Sequence, residues 1–103
     1  MRRVRVMMQG RPAGVLEEQT PGRDYRFSYD PGYDGPPVSL TMPVRSDPYL
    51  FDRFPPFFDG LLPEGSLLTA LLQQMKLDSD DYLGQLLAVG EDPVGAVTIE
   101  AMG

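Results

Sequence analysis

The sequence predicts an α+β fold in which a mainly antiparallel, barrel-like sheet is followed by two helices and then by a last strand. Apolar side chains alternate with a period of two in most of the first 43 residues, and a helical period takes over from residue 63 to residue 90. A closing stretch from Val94 to Glu100 is rich in β-branched residues and predicts a return to the sheet. With 103 residues, 42% of them hydrophobic, the chain has room for one core, and we expect a single domain over 1–103.

Three strands are predicted in the first 29 residues. In the first, Arg2 to Met8, apolar side chains alternate with arginines, which is typical of a half-buried strand. Turn residues from Gln9 to Pro12 lead into a second strand, Gly14 to Glu18, most simply as a hairpin. Pro21 and Gly22 break the chain again, and the third strand then presents its aromatic residues on one face: Tyr25, Phe27 and Tyr29.

The next segment is predicted to be a loop followed by a fourth strand. Asp30 to Pro37 contains three prolines and two glycines, too many for regular structure, and indicates a surface loop. Val38, Leu40 and Met42 then alternate with polar residues, which predicts a strand ending at Pro43, because proline has no amide hydrogen to donate.

The first predicted helix begins at Pro63, whose missing amide hydrogen suits a first helical turn. Its apolar residues form one stripe: Leu67, Leu68, Leu71, Leu72 and Met75.

The second predicted helix follows Asp78 and Ser79, either of which is a suitable N-cap. Asp80 and Asp81 would then lie in the first turn, where negative charge is favourable, and Gly90 would close the helix. The apolar stripe of this helix consists of Tyr82, Leu83, Leu86 and Leu87.

An aromatic segment, residues 49–63, fits neither period for long and holds four of the five phenylalanines. One interpretation is that its rings fill the gap between sheet and helices as part of the core. The other is that part of the segment, together with the start of the first helix, forms an apolar surface for a partner, since aromatic patches with polar rims mark interfaces. A mixture of the two is expected.

The composition argues against enzyme chemistry. The chain has no cysteine and no histidine, so it lacks a thiol nucleophile and the commonest general base and zinc ligand. Asp78, Asp80 and Asp81 do not form a calcium loop, because the glycine required at the sixth position is Leu83. Asp52 and Asp59 remain as a carboxylate pair, but acids in the loops of an acidic protein are usually just solvated. We therefore expect no enzyme, no cofactor and no metal.

Charge and hydropathy limit the partners. The net charge of −6 argues against direct nucleic-acid binding, which depends on lysines and arginines. Residues 1–29 carry six arginines against three acids, whereas residues 30–103 carry three basic residues against twelve acids. The absence of a membrane-length apolar stretch and of a signal-peptide core predicts no membrane association, and the lack of cysteine fits a cytoplasmic location.

Three stretches together resemble the N-terminal subdomain of HipA-type serine/threonine toxin kinases: Ser39 to Pro43 (SLTMP), Phe57 to Gly65 (FFDGLLPEG) and Leu86 to Val97 (LLAVGEDPVGAV). They occur in the same order, and the resemblance covers nearly the whole chain. In those kinases the nucleotide-binding and catalytic motifs lie downstream in a large domain that this chain lacks. The resemblance therefore implies no kinase activity here.

The chain is also similar to HipS-like proteins, the small antitoxins of three-component HipBST-type toxin–antitoxin systems. This similarity implies that the chain binds and inhibits a HipT-like serine/threonine kinase, with a HipB-like DNA-binding protein as a further member of the complex. The alternative is a non-inhibitory regulatory or scaffold subunit that completes the kinase and bridges it to the HipB-like partner. Two further hypotheses are that the chain is an independent small enzyme that uses carboxylates for catalysis, or that it is an excised fragment of a full kinase.

The second of these stretches and the residue after it predict the partner-binding site: Phe57, Phe58, Asp59, Leu61, Leu62, Pro63, Glu64, Gly65 and Ser66. In HipS-like proteins the residue after Pro-Glu-Gly is often a large aromatic that inserts at the kinase active site, whereas here it is Ser66. Inhibition by this chain would then depend on the surrounding loop or on docking that holds the kinase inactive, unless this copy is a weaker inhibitor. Glu64 could reach a kinase lysine, or could simply be a carboxylate favoured near a helix start.

Overall fold

A computed structural model describes residues 2–90 and 96–102 and shows a five-stranded antiparallel sheet with three helices. The strands are β1 (Arg2–Met8), β2 (Arg11–Thr20), β3 (Arg23–Tyr29), β4 (Tyr49–Phe51) and β5 (Val97–Ala101). The helices are α1 (Pro56–Asp59), α2 (Gly65–Met75) and α3 (Tyr82–Val89), and the order in the sheet is β4-β3-β2-β1-β5. The predicted α+β class and the antiparallel sheet are confirmed.

The sheet is open rather than closed into a barrel. Its two edges are β4 and β5, which are not paired with each other in the described residues. At the β5 edge the Ile99 amide donates to the Gly90 carbonyl at 3.0 Å, so the end of α3 occupies one position where a neighbouring strand would bind. At the other edge β4 is only three residues long. The barrel-like closure expected from the sequence is therefore absent from the described structure.

One face of the sheet carries the core. Across the central strands Val4 lies opposite Leu16, and Leu16 lies opposite Phe27, so that alternate residues of three strands meet on the buried face. The helices and the chain after β3 complete the same cluster of buried apolar side chains: Val4, Val6, Ala13, Leu16, Tyr25, Phe27, Tyr29, Val38, Met42, Phe58, Leu83, Leu86, Val97 and Ile99.

The predicted fourth strand at residues 38–42 is wrong. This stretch folds back on itself through an isolated bridge between Ser39 and Met42, and Leu40 is 94% exposed at its tip. The Tyr29 hydroxyl holds the turn, because it accepts from the Val38 amide at 3.0 Å and donates to the Met42 carbonyl. The fourth strand of the sheet is instead β4, which lies inside the aromatic segment and pairs with β3.

Both long helices form, with shifted starts. The first begins at Gly65, with Glu64 as N-cap, so Pro63 precedes the helix instead of occupying its first turn. The second begins after Asp81, whose carboxylate accepts from the Gly84 amide at 3.1 Å. Asp78 and Ser79 are therefore not its caps, and their carbonyls accept instead from the Gln85 side-chain amide at 3.1 and 3.2 Å. This places Asp80 before the helix as well.

The last strand begins at Val97 rather than at Val94, where the prediction placed it. Residues 94–95 of that prediction lie outside the described residues, as does the central part, 91–95, of the third stretch that resembles HipA. None of the three helices in the described ranges has the length and apolar character needed to cross a membrane.

Candidate functional site

The predicted partner-binding segment, residues 57–66, runs from α1 through the turn that follows it into the first turn of α2. The Gly60 amide donates to the Pro56 carbonyl at 3.1 Å and ends α1. The amides of Leu61 and Leu62 then donate to the carbonyls of Phe58 and Asp59 at 3.0 and 3.1 Å. These local hydrogen bonds give the link between the two helices a defined shape.

The inner half of this segment is packed against the core. Phe58 has no exposed side chain, and its ring centroid lies 5.7 Å from that of Phe27 and 5.1 Å from that of Phe57. Phe57, Leu61 and Leu62 are half-buried and also pack against the core. Phe58 therefore supports this surface from below rather than offering its ring to a partner.

The other phenylalanines of the aromatic segment fill the space between sheet and helices. The Phe54 ring is stacked on Tyr82 of α3 at 5.3 Å and meets Tyr25 of β3 edge-on at 5.2 Å. Phe51 also packs against the core. For these rings the structure follows the packing interpretation of the sequence.

The outer half of the segment is exposed. Asp59, Glu64, Gly65 and Ser66 all face solvent, and Pro63 is half-buried. The Glu64 carboxylate makes no capping hydrogen bond to α2, although Glu64 is the N-cap residue. Gly65 enters the helix with φ = +61°, a left-handed conformation that favours glycine. A partner approaching this edge would therefore meet a carboxylate, a hydroxyl and bare backbone.

Helix α2 continues this exposed surface, and its residues after Ser66 are not among the predicted site residues. No residue of α2 is buried, Leu67 is 71% exposed and Met75 is 54% exposed. Leu68, Leu71 and Leu72 are half-buried, and none of the three belongs to the core or to the side chains packed against it. The apolar stripe was visible in the sequence, but its spacing does not tell whether such a stripe is covered.

Acidic residues precede and follow this helix in the sequence. Between residues 54 and 90 there are five acidic residues and one basic residue, Lys76. Asp59 and Glu64 precede α2, Asp78 and Asp80 follow it, and none of these four takes part in an ion pair among the described residues. The exposed helix therefore carries no charged side chain itself, follows two acidic residues, and is followed by Lys76 and then by Asp78 and Asp80.

The acids at the start of α3 and on β2 are different, because an arginine binds them. The Arg2 guanidinium donates from Nε to Glu18 Oε1 at 2.9 Å and from Nη2 to Asp81 Oδ1 at 2.6 Å. Burial alone would raise the pKa of Glu18, but hydrogen bonds from Arg2, the Gly22 amide and the Tyr25 hydroxyl outweigh it and lower that pKa. The hydrogen bond from Arg2 likewise lowers the pKa of Asp81. This network attaches α3 to the sheet and leaves neither carboxylate free for chemistry.

Asp52 and Asp59, the two carboxylates considered for acid–base chemistry, do not line a common groove. Asp52 lines an open groove of about 350 Å³, beside Asp24, Tyr25 and Leu50, which neither Asp59 nor Glu64 reaches. Within residues 2–90 and 96–102, no group of three or more histidine, cysteine or acidic side chains is arranged to hold a metal ion.

The fold matches that of a known toxin subdomain. Over its full length the chain is similar to a solved structure titled "N-terminal domain of HipA toxin", with a TM-score of 0.78 and 32% sequence identity, covering 94% of that structure. The pattern of the family described as "HipA N-terminal domain" matches residues 4–100. The chain therefore belongs to the HipA N-terminal domain family.

Two relatives differ in length. An uncharacterised protein of Haemophilus influenzae is 36% identical over 96 residues, which covers 93% of this chain and 89% of that protein. Y4mE of Sinorhizobium fredii, named as a candidate kinase, is 28% identical over 103 residues, and the match spans only 24% of its length. The family thus includes a small protein, as expected of HipS-like proteins, and a domain within a longer one.

Membership in this family supports a HipA- or HipS-related role. The HipA N-terminal domain is a non-catalytic subdomain. The relation to the HipA kinases also points to a kinase partner in general.

Proposed function

We propose that this protein is an antitoxin, acting as a single domain in the cytoplasm, that binds and inhibits a HipT-like serine/threonine kinase by protein–protein contact. The observation that carries the proposal is the combination of a HipA N-terminal domain with an exposed surface made of the outer half of the 57–66 segment and α2. A family member of similar size in Haemophilus influenzae supports a role outside a kinase chain.

The contact that inhibits the kinase differs from insertion of an aromatic side chain. Ser66 is exposed in the first turn of α2, and a serine is too small to fill a pocket that takes an aromatic ring. Glu64 stands next to it with a carboxylate that makes no capping hydrogen bond. In this proposal inhibition rests on docking of this edge, and the Glu64 carboxylate pairs with a basic group of the kinase.

Co-expression with the cognate HipT-like kinase tests the proposal. Cells that produce the kinase alone are expected to stop growing, and cells that also produce this chain are expected to grow. Glu64→Lys is expected to weaken this protection, whereas Asp47→Lys, the same reversal of charge at an exposed loop carboxylate, is expected to leave it intact. Equal toxicity with and without the wild-type chain contradicts the proposal.

Co-purification combined with a kinase turnover assay separates the scaffold alternative from the inhibitor. A scaffold subunit would co-purify with the kinase, and with a HipB-like DNA-binding protein where one is present, while kinase turnover stayed unchanged or rose. An inhibitor co-purifies with the kinase and lowers its turnover.

A further inference from the structure

The exposed apolar stripe of α2 is a candidate binding surface, and the charged residues near it indicate which kind of partner surface would bind it. We propose that α2 lies lengthwise in an apolar groove of the partner kinase, and that lysine or arginine side chains flank both ends of this groove. The inference rests on the proposed function. It adds which element of this chain docks and which side chains line the groove of the kinase that binds it.

The apolar part follows from the side chains of the helix. Leu67, Leu71 and Met75 are spaced four residues apart and so lie along one side of α2. No charged residue occurs between Gly65 and Met75, and the 11 residues span about 16 Å. An apolar helix face of this kind is recognised by a hydrophobic groove that takes successive side chains as anchors.

The charged part follows from the ends of the helix. Asp59 and Glu64 at the start, and Asp78 and Asp80 beyond the end, are exposed and make no ion pair in the described part of the chain. Lys76 is the only basic residue near them in sequence. A groove with basic residues at both ends would neutralise these carboxylates and attract the helix before contact.

The same charges disfavour two other surfaces that could bind α2, a second copy of the chain and a membrane. If α2 packed against α2 of a second copy, the ends that meet would both carry a net negative charge in either the parallel or the antiparallel arrangement, because Lys76 offsets only one carboxylate. An anionic membrane surface would also repel these ends, because helices that lie on membranes carry lysine and arginine on their polar side. A protein groove of opposite charge remains.

The first experiment measures the affinity of the full chain for the HipT-like kinase by calorimetry. Leu67→Glu is expected to weaken binding at least about 30-fold, the loss typical of an interface anchor. Leu40→Glu is the matched control, because it makes the same change at a leucine that is 94% exposed in the turn after β3. Its affinity is expected to equal that of the wild type. Thermal unfolding followed by circular dichroism checks that both variants fold, and Leu67→Gln replaces Leu67→Glu if the latter does not.

The second experiment measures the association rate at several salt concentrations. Asp78→Asn removes one charge beyond the end of α2 and leaves the Asp78 carbonyl that accepts from Gln85. It is expected to slow association and to reduce its salt dependence, whereas Asp47→Asn, at an exposed loop aspartate far from α2 in sequence, is not.

The outcomes separate this inference from the proposed function. If the wild-type chain neither binds nor inhibits the kinase, the proposed function fails and the inference fails with it. If the wild type binds and inhibits, and Leu67→Glu does so equally well, the function stands and the docking of α2 is contradicted. Self-association of the wild type that Leu67→Glu abolishes would also overturn it, because a second copy would then cover the stripe.

Discussion

Helices α2 and α3 show similar apolar stripes in the sequence but differ in what they contact. In α3, Leu83 and Leu86 are fully buried, and Asp81 both caps the helix and binds Arg2 of β1. In α2 no residue is buried and the N-cap residue makes no side-chain hydrogen bond. The apolar stripe of α3 is thus buried in the core, whereas the stripe of α2 lies outside the core, half-buried at three leucines and exposed at Leu67 and Met75. The comparison teaches that an apolar stripe at helical spacing predicts a face that becomes buried, either in the core of the same chain or against a partner.

The largest expected effect compares the same substitution in the two helices. Leu86→Ala removes a fully buried side chain from the core and is expected to lower the free energy of unfolding by about 2–5 kcal/mol. Leu67→Ala, at a residue that is 71% exposed, is expected to change it by less than about 0.5 kcal/mol. Urea denaturation measures both. Equal losses would mean that α2 is part of the core and would end the distinction.

The next effect concerns the network that holds α3. Glu18→Gln leaves a buried side chain that no longer carries the charge bound by Arg2, and is expected to cost about 2–3 kcal/mol. Glu100→Gln, at an exposed glutamate of β5, is the control and is expected to be near neutral. Urea denaturation at pH 7 measures both variants, and a neutral Glu18→Gln would show that the network does not stabilise the fold.

The pH dependence follows from the lowered pKa values of Glu18 and Asp81. Because each carboxyl has a lower pKa in the folded than in the unfolded chain, each contributes stability above its ordinary pKa, 4.5 for Glu18 and 3.8 for Asp81. That stability is lost as the pH falls through the folded-state pKa. The difference in unfolding free energy between wild type and Glu18→Gln is therefore expected to shrink below about pH 4.5. A difference that stays constant from pH 7 to pH 3 would contradict this origin.

The smallest effect is at the start of α2. Gly65→Ala puts a side chain on a residue with φ = +61°, where an added Cβ meets no atom within 4 Å. The cost is then conformational, about 1 kcal/mol, and falls on the first turn of α2. Amide hydrogen exchange is expected to quicken at Leu68, whose amide donates to the Glu64 carbonyl, and in the turn after it, and to stay unchanged in α3. Ser66→Ala, at the next exposed position, serves as the control, and faster exchange in α3 would show that the two helices are coupled.

Much of the fold follows from local patterns. β1 and β3 were predicted because alternating side chains needed only one buried face, and Val4, Val6, Tyr25, Phe27 and Tyr29 are buried as the alternation requires. The fourth strand was misplaced because Val38 and Met42 are buried through a hydroxyl that lies nine or more residues earlier. Such a long-range hydrogen bond leaves no periodic signal. β4 has only three residues, too few to show a period.

The exposure of the candidate site residues could be predicted only in part. The segment 57–66 does form a defined edge, but the sequence could not tell Phe58, which is fully buried, from Glu64 and Ser66, which are exposed. Aromatic content marks both cores and interfaces, so it does not separate them. The exposure of α2 could not be predicted from the sequence either, because it depends on how α2 packs relative to α3 and the sheet.

Titration of a purified HipT-like kinase with this protein tests the central claim most directly. The rate of phosphate transfer from ATP is the readout, with the kinase held constant and the chain added from substoichiometric amounts to excess. We predict that the rate falls in proportion to the added chain until one copy per kinase is bound. A rate that stays constant or rises while the two proteins form a complex would contradict the account of this protein as an inhibitor.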